Sequence, residues 1–293
     1  MIYRASHITS YTYEDPVSTC HSEVRLLPRN CPHQQVQSCR IHIEPEPSVF
    51  SVRTDYFGNY VHHFAILEAH ASLIVKATSL VEVTAPAIVE PALTPPWEDV
   101  RDHIRAYPDP HALEAFEFTC ESQFITTAPE FGAYARQSFT PGRPLLEGAV
   151  ELCSRIYREF TYVPSSTTID TPVMEVFRTR RGVCQDFAHF MIAALRSLGL
   201  AARYVSGYLR SGANYTGAEA SHAWLSLFLP PAGWVDLDPT NDVIPGEGHV
   251  TVAWGRDYGD VTPVKGVTLG GGEHEITVEV RVRPLLDTQP TAA

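Results

Sequence analysis

The side chain best placed for chemistry is the thiol of Cys184, which follows Arg181-Gly182-Val183 and precedes Gln185-Asp186-Phe187-Ala188-His189-Phe190-Met191-Ile192-Ala193-Ala194-Leu195. Phe187, Phe190, Met191, Ala194, Leu195 and Leu198 recur at steps of three and four, the period of a helix with one face in a core. Gly199 ends the pattern, where a left-handed cap favours glycine. Cys184 therefore falls in or just before the first helical turn. Unpaired backbone N–H groups and the positive end of the helix dipole stabilise an anion there, and the thiolate is the reactive form of cysteine. Taken alone, such a cysteine is more often a buried, inert packing residue.

Two downstream segments change that balance. Ser221-His222-Ala223-Trp224-Leu225-Ser226-Leu227-Phe228-Leu229 reads as a strand. After a Pro-Pro-Ala-Gly turn, Trp234-Val235-Asp236-Leu237-Asp238-Pro239-Thr240 reads as a second, antiparallel strand stopped by Pro239. A helix bearing cysteine followed by strands bearing histidine and aspartate supplies a nucleophile, a base and an orienting carboxylate. Asp236 and Asp238 are two apart and share a strand face, so spacing alone leaves either able to orient His222. His189 lies about 140° round the helix from Cys184, which suits a structural role. Asp186 suits the helix start, where negative charge is favourable.

Taken together, Gly182-Val183-Cys184-Gln185-Asp186-Phe187-Ala188, Ser221-His222-Ala223-Trp224 and Gly233-Trp234-Val235-Asp236-Leu237-Asp238-Pro239-Thr240 resemble the transglutaminase-like superfamily of cysteine enzymes, whose bacterial members are often described as cysteine proteases. The resemblance covers about residues 145 to 245. It implies that Cys184 is the nucleophile, His222 the base and Asp238 the acid, and it implies a papain-like core of helices packed on an antiparallel sheet. Acyl transfer also needs an oxyanion hole. The backbone N–H of Cys184 is its natural first donor, and Tyr162 resembles an upstream aromatic that many relatives carry. Trp224 and Trp234 flank the histidine and the acid and would wall the site or meet substrate.

The rest of the chain sets the context. Residues 1–84 read as short strands with regular turns, a sandwich-like β-rich domain. The strands run from Ile2, interrupted at Asp15-Pro16, then over Val24–Pro28, Gln35–Ile43, Val49–Thr54, Tyr60–Leu67 and Leu73–Val83. The segments Tyr11-Thr12-Tyr13, Arg25-Leu26-Leu27-Pro28-Arg29 and Asp55-Tyr56-Phe57-Gly58-Asn59 resemble the amino-terminal domain that accompanies many bacterial transglutaminase-like proteins. His62-His63 lie on opposite strand faces and cannot chelate together. Residues 85–143 read as a proline-rich linker with helices, and 144–245 as the catalytic core. In 246–293, strands at His249–Trp254 and Glu275–Val282 are expected to complete that core before a short tail. The chain as a whole is expected to be α+β.

A net charge of −12 argues against nucleic acid or an anionic membrane as partner. No apolar run reaches the roughly 20 residues of a bilayer span, and no signal peptide is evident. The six cysteines form no Cys-x-x-Cys pair, so no zinc site is expected, and reduced thiols in the cytoplasm are the default. Gly270-Gly271-Gly272 lacks the surroundings of a nucleotide loop. No cofactor or metal is expected. The implied function is a cysteine-dependent amide-bond enzyme acting on a peptide or protein through a thioester. Hydrolysis is favoured over amine transfer because no Asp-x-Asp-x-Asp-Gly calcium loop occurs. The alternatives are a non-enzymatic peptide- or protein-binding member of the fold, or an arylamine acetyltransferase-like acyl transferase.

Overall fold

The computed structural model describes residues 1–107 and 109–285; the end of the expected tail, 286–293, lies outside them. The amino-terminal strands are β1 (Ile2–Val24), β2 (Gln34–Glu44), β3 (Val49–Thr54), β4 (Tyr60–Ile66) and β5 (His70–Val83). Helices α1 (Trp97–Ala106), α2 (Pro110–Glu117), α3 (Pro129–Arg136) and α4 (Leu145–Glu159) follow, then β6 (Thr161–Tyr162), α5 (Val173–Thr179) and β7 (Arg181–Gly182). The site-bearing elements are α6 (Cys184–Arg196), β8 (Ala202–Leu209), β9 (His222–Leu229), β10 (Gly233–Leu237) and β11 (His249–Gly255). The chain continues with α7 (Tyr258–Val261), β12 (Val264–Gly270) and β13 (His274–Pro284).

The fold is α+β, with two principal antiparallel sheets. In the smaller sheet the order is β10-β9-β8-β11, and α6 packs against it. In the larger sheet the order is β2-β5-β1-β4-β3, with β12 and β13 also on β1. The expected sandwich is thus a single curled sheet, closed around Val17, Val24, Leu26, Phe64, Leu73 and Val75. Asp15-Pro16 does not end the first strand. It sits where β1 changes partners, from β5 and β13 to β4 and β12, with register shifts on both sides. Proline is tolerated at such an irregularity because no ladder N–H is required of it. The separate strand expected over Val24–Pro28 does not form, since Val24 closes β1 and the next four residues leave the sheet.

The carboxy-terminal strands correct a second expectation. Only β11 joins the core sheet, beside β8. β12 and β13 return to pair with β1 across some 250 residues of sequence, Tyr3 opposite Pro284 and Val24 opposite Val264. Local alternation identifies a strand but carries no information on its partner. Helix α2 was not expected, although Asp109 caps it by accepting from the Ala112 N–H at 2.9 Å and Pro110 occupies its first position, as such residues favour. Among the described residues, no helix is long and apolar enough to cross a membrane.

The two sheets meet along the outer edge of β11. An edge strand exposes unpaired N–H and C=O groups, and here side-chain amides from the larger sheet and its turns pair with them. Gln34 accepts from the Thr251 N–H and donates to the Thr251 carbonyl, both at 2.8 Å. Asn59 accepts from the Trp254 N–H at 3.0 Å and donates to the Trp254 carbonyl at 2.8 Å. The Arg29 and Arg203 guanidinium groups lie against the Trp254 indole, 3.2 and 3.9 Å from its centroid.

Candidate active site

Cys184 is the first residue of α6, so its backbone N–H has no acceptor within the helix. The entry to α6 is held by Asp186, whose carboxylate accepts from the Val183 N–H and the Thr167 hydroxyl, both at 2.7 Å. Burial raises the Asp186 pKa, and those two bonds oppose the rise. The pairing of β6 with β7 sets Tyr162 beside Gly182, and its ring meets Phe187 edge-on at 6.3 Å. From Asp186 to Arg196 the helix is buried, and Cys184 is 9% exposed at its mouth.

His222 opens β9 and is almost fully buried. Its Nε2–H donates to Asp238 Oδ2 at 2.9 Å. Nδ1 is therefore the ring nitrogen left for another partner. It is buried and forms no hydrogen bond of regular geometry with the protein. Burial alone would lower the imidazole pKa. The Asp238 carboxylate, and then negative charge on Cys184, outweigh burial and raise it above the ordinary value. The same pairing holds the Asp238 carboxyl well below the usual carboxylate range against its own burial. An imidazolium facing the Asp238 carboxylate is the charge state this environment favours for His222.

Asp238 lies just beyond β10, in a turn that its own Oδ1 closes by accepting from the Thr240 N–H at 2.9 Å and the Asn241 N–H at 3.3 Å. Oδ2 also accepts from Asn241 Nδ2 at 2.8 Å and from His249 Nε2 at 3.2 Å. Asp236 is occupied elsewhere: it accepts from the Trp224 indole N–H at 3.0 Å and from the Ser226 hydroxyl. Of the two carboxylates, then, only Asp238 meets His222.

Trp224 does not serve as a substrate contact or oxyanion donor. It is fully buried and its one N–H is bonded to Asp236. It instead backs the imidazoles, stacked on His222 at 6.1 Å and edge-on to His249 at 5.3 Å. Trp234 packs against Phe118, Phe228 and Arg203. His189 faces away from the thiol: it accepts from the Tyr258 N–H at 3.2 Å and packs on Phe124 and Tyr204, and burial lowers its pKa. Cys153 is buried in the core.

The loop 211–221 covers the site. Its ends are tied to β13, where the Ser211 N–H donates to the Val282 carbonyl at 2.9 Å and the Val280 N–H to the Glu219 carbonyl at 3.1 Å. In between, the Thr216 N–H donates to Asn241 Oδ1 at 2.8 Å. Gly217, at φ +87°, lies directly on the imidazole: a Cβ there would sit 2.9 Å from His222 Nδ1 and 3.8 Å from the Tyr162 hydroxyl. That conformation and that space suit glycine alone.

Comparison with known proteins places the chain in a family. Residues 3–82 match the bacterial transglutaminase-like N-terminal region, and residues 132–239 match the transglutaminase-like superfamily. The chain belongs to the transglutaminase-like superfamily. It is 40% identical to an uncharacterized protein of Mycobacterium tuberculosis, over 96% of this chain and 92% of that one. The structure of a candidate cysteine protease from Cytophaga hutchinsonii matches with a TM-score of 0.76 and 19% identity, over 99% of this chain and 92% of that chain, and shares its fold. A protein-glutamine gamma-glutamyltransferase of Pseudomonas aeruginosa is 36% identical over 29% of this chain and 14% of its own length. Membership of this superfamily supports a cysteine-dependent enzyme in general terms.

His249 and Asn241 were not singled out from sequence. His249 reads as one more residue of an apolar strand. Its only signal is a polar ring opening a segment that is otherwise buried.

Proposed function

We propose that the protein is a cysteine-dependent amide-bond enzyme that acts on a peptide or protein through a thioester on Cys184. The observation that carries this reading is the buried Nε2–H bond from His222 to Asp238, which leaves Nδ1 for the thiol at the start of α6. In the resting pair, His222 holds the proton of Cys184. The thiolate attacks the amide carbonyl carbon, forming the C–S bond. His222 Nδ1–H then passes its proton to the amide nitrogen as the C–N bond breaks and the amine leaves. Water adds to the thioester, giving its proton to Nδ1, and release of the carboxylic acid returns the ion pair.

The proposed oxyanion donors are the Cys184 backbone N–H and the Tyr162 hydroxyl. Burial, with negative charge on Cys184 and Asp186, pushes the Tyr162 pKa up to about 12, so the phenol keeps its proton at neutral pH and can donate it. All six cysteines carry free thiols, which supports a reducing compartment, the cytoplasm, as the proposed location.

Acid-quenched intact-mass analysis with glutamine-containing peptides and an alkyl diamine tests the chemistry. The expected result is an acyl adduct on Cys184, absent in Cys184→Ala, with a carboxylic acid product free of diamine. Diamine incorporation would retain the thioester but make the second step amine transfer. Turnover that survives Cys184→Ala would sink the proposal.

A further inference from the structure

Asp238 serves two histidines. Its Oδ2 accepts from Nε2 of His222 at 2.9 Å and from Nε2 of His249 at 3.2 Å, and both rings are buried. We propose that His249 is a positioning residue for this site: its imidazole donates Nε2–H to Asp238 and fixes the carboxylate in the rotamer that leaves His222 Nδ1 facing Cys184. The inference rests on the function proposed above and adds to it a residue on a fourth element.

The proton arrangement follows from the surroundings. Opposite a carboxylate oxygen, Nε2 of His249 must carry the hydrogen. Nδ1 of His249 is buried with no partner. The ring plane is also fixed. Trp224 and Tyr215 each meet it edge-on, with centroids 5.3 Å away, and the His249 N–H donates to the Gly246 carbonyl at 3.1 Å. The titratable groups facing the ring are Asp238, His222 and Tyr215.

The carboxylate needs such a partner. Oδ1 is held only by backbone N–H groups of its own short turn. Oδ2 is held by three side chains, of which Asn241 shares that turn. His249 is the donor that comes from a different strand and does not itself bear on the thiol. Its strand is in turn gripped by Gln34 and Asn59. A chain of contacts therefore runs from the amino-terminal sheet through β11 and His249 to Asp238.

The test compares His249→Phe, which keeps a flat ring between Trp224 and Tyr215 but has no donor, with His249→Gln, which keeps a donor of similar reach but packs less well. The readout is the rate of Cys184 alkylation by iodoacetamide as a function of pH, with thermal melting to follow the fold. Loss of a hydrogen bond to a charged group should slow alkylation below pH 7 by about ten-fold. We expect this in His249→Phe, with the pH midpoint moving up towards that of His222→Ala, and substantial recovery in His249→Gln. If His249→Phe matches the wild type while His249→Gln does not, packing is all the ring supplies and the proposal is overturned. If the wild type itself is indifferent to His222→Ala, the proposed function fails instead, which is a different result. Imidazole 15N NMR on the wild type gives an answer that does not depend on either variant folding. Hydrogen on Nε2 of His249 bonded to the carboxylate supports the proposal, and a ring with its hydrogen on Nδ1 alone refutes it.

Discussion

The two sheets use the same strand geometry for opposite purposes. In the core sheet, β8 and β9 bury every residue, and the elements at their ends hold Cys184, His222 and Asp238. In the larger sheet, β3 leaves all six residues exposed and β12 leaves six of seven exposed. A histidine and an aspartate keep a fixed orientation only where their neighbours cannot move aside, and close packing supplies that on the core side. The larger sheet needs close fit only where it grips β11 and where β13 ties down the loop over His222. Precision is thus concentrated at the site and along its two supports.

Gly207→Ala should break the core side outright. Its methyl group would be driven into the Val250 carbonyl and the Trp224 indole. Overpacking of this kind costs about 3 kcal/mol or more, to be read as a lower denaturation midpoint with loss of Cys184 reactivity. A folded, reactive Gly207→Ala would mean that the core sheet is not tightly packed.

Acid should act on the junction between the sheets. His7 of β1 is buried, bonded to Thr9 and packed on Tyr208 of β8, and burial lowers its pKa to about 4. Since the unfolded chain takes up this proton near pH 6.5, the folded state loses stability as pH falls from there towards 4. The loss should be about 2 kcal/mol between pH 7 and pH 5, seen in denaturant titrations and reduced in His7→Gln. Unchanged stability over that range would contradict the neutral, buried His7.

Gln34→Ala and Asn59→Ala sharpen the comparison from the supporting side. Each leaves a backbone N–H of β11 without its partner, and Asn59→Ala the Trp254 carbonyl as well, at a cost of about 1–2 kcal/mol. Both should also slow Cys184 alkylation, although neither residue touches the site. Val267→Thr on β12 marks the smallest effect, since Val267 is 76% exposed. It should change stability by less than about 0.5 kcal/mol. A large effect there would mean that this face is covered in solution.

Legibility in the sequence follows the same division. Cys184 and His222 could be singled out because each borders an element with a strong local pattern, a helical stripe or an apolar strand, and Asp238 through the family resemblance. The choice of Asp238 over Asp236 was not legible from spacing, because it depends on the turn that Thr240 and Asn241 close around Asp238 and on Trp224 and Ser226 claiming Asp236. His249, Gln34 and Asn59 were invisible for a related reason. Their roles come from pairings between segments far apart in the chain. The return of β12 and β13 to β1 was hidden in the same way.

The most direct measurement is the pH dependence of Cys184 alkylation by iodoacetamide, mapped by peptide mass, in the wild type and in His222→Ala. The account predicts that Cys184 alkylates well below the pKa of about 8.5 of a free thiol, ahead of the other five cysteines, and that His222→Ala abolishes this advantage. Alkylation of Cys184 no faster than the remaining thiols, in both proteins alike, would contradict it.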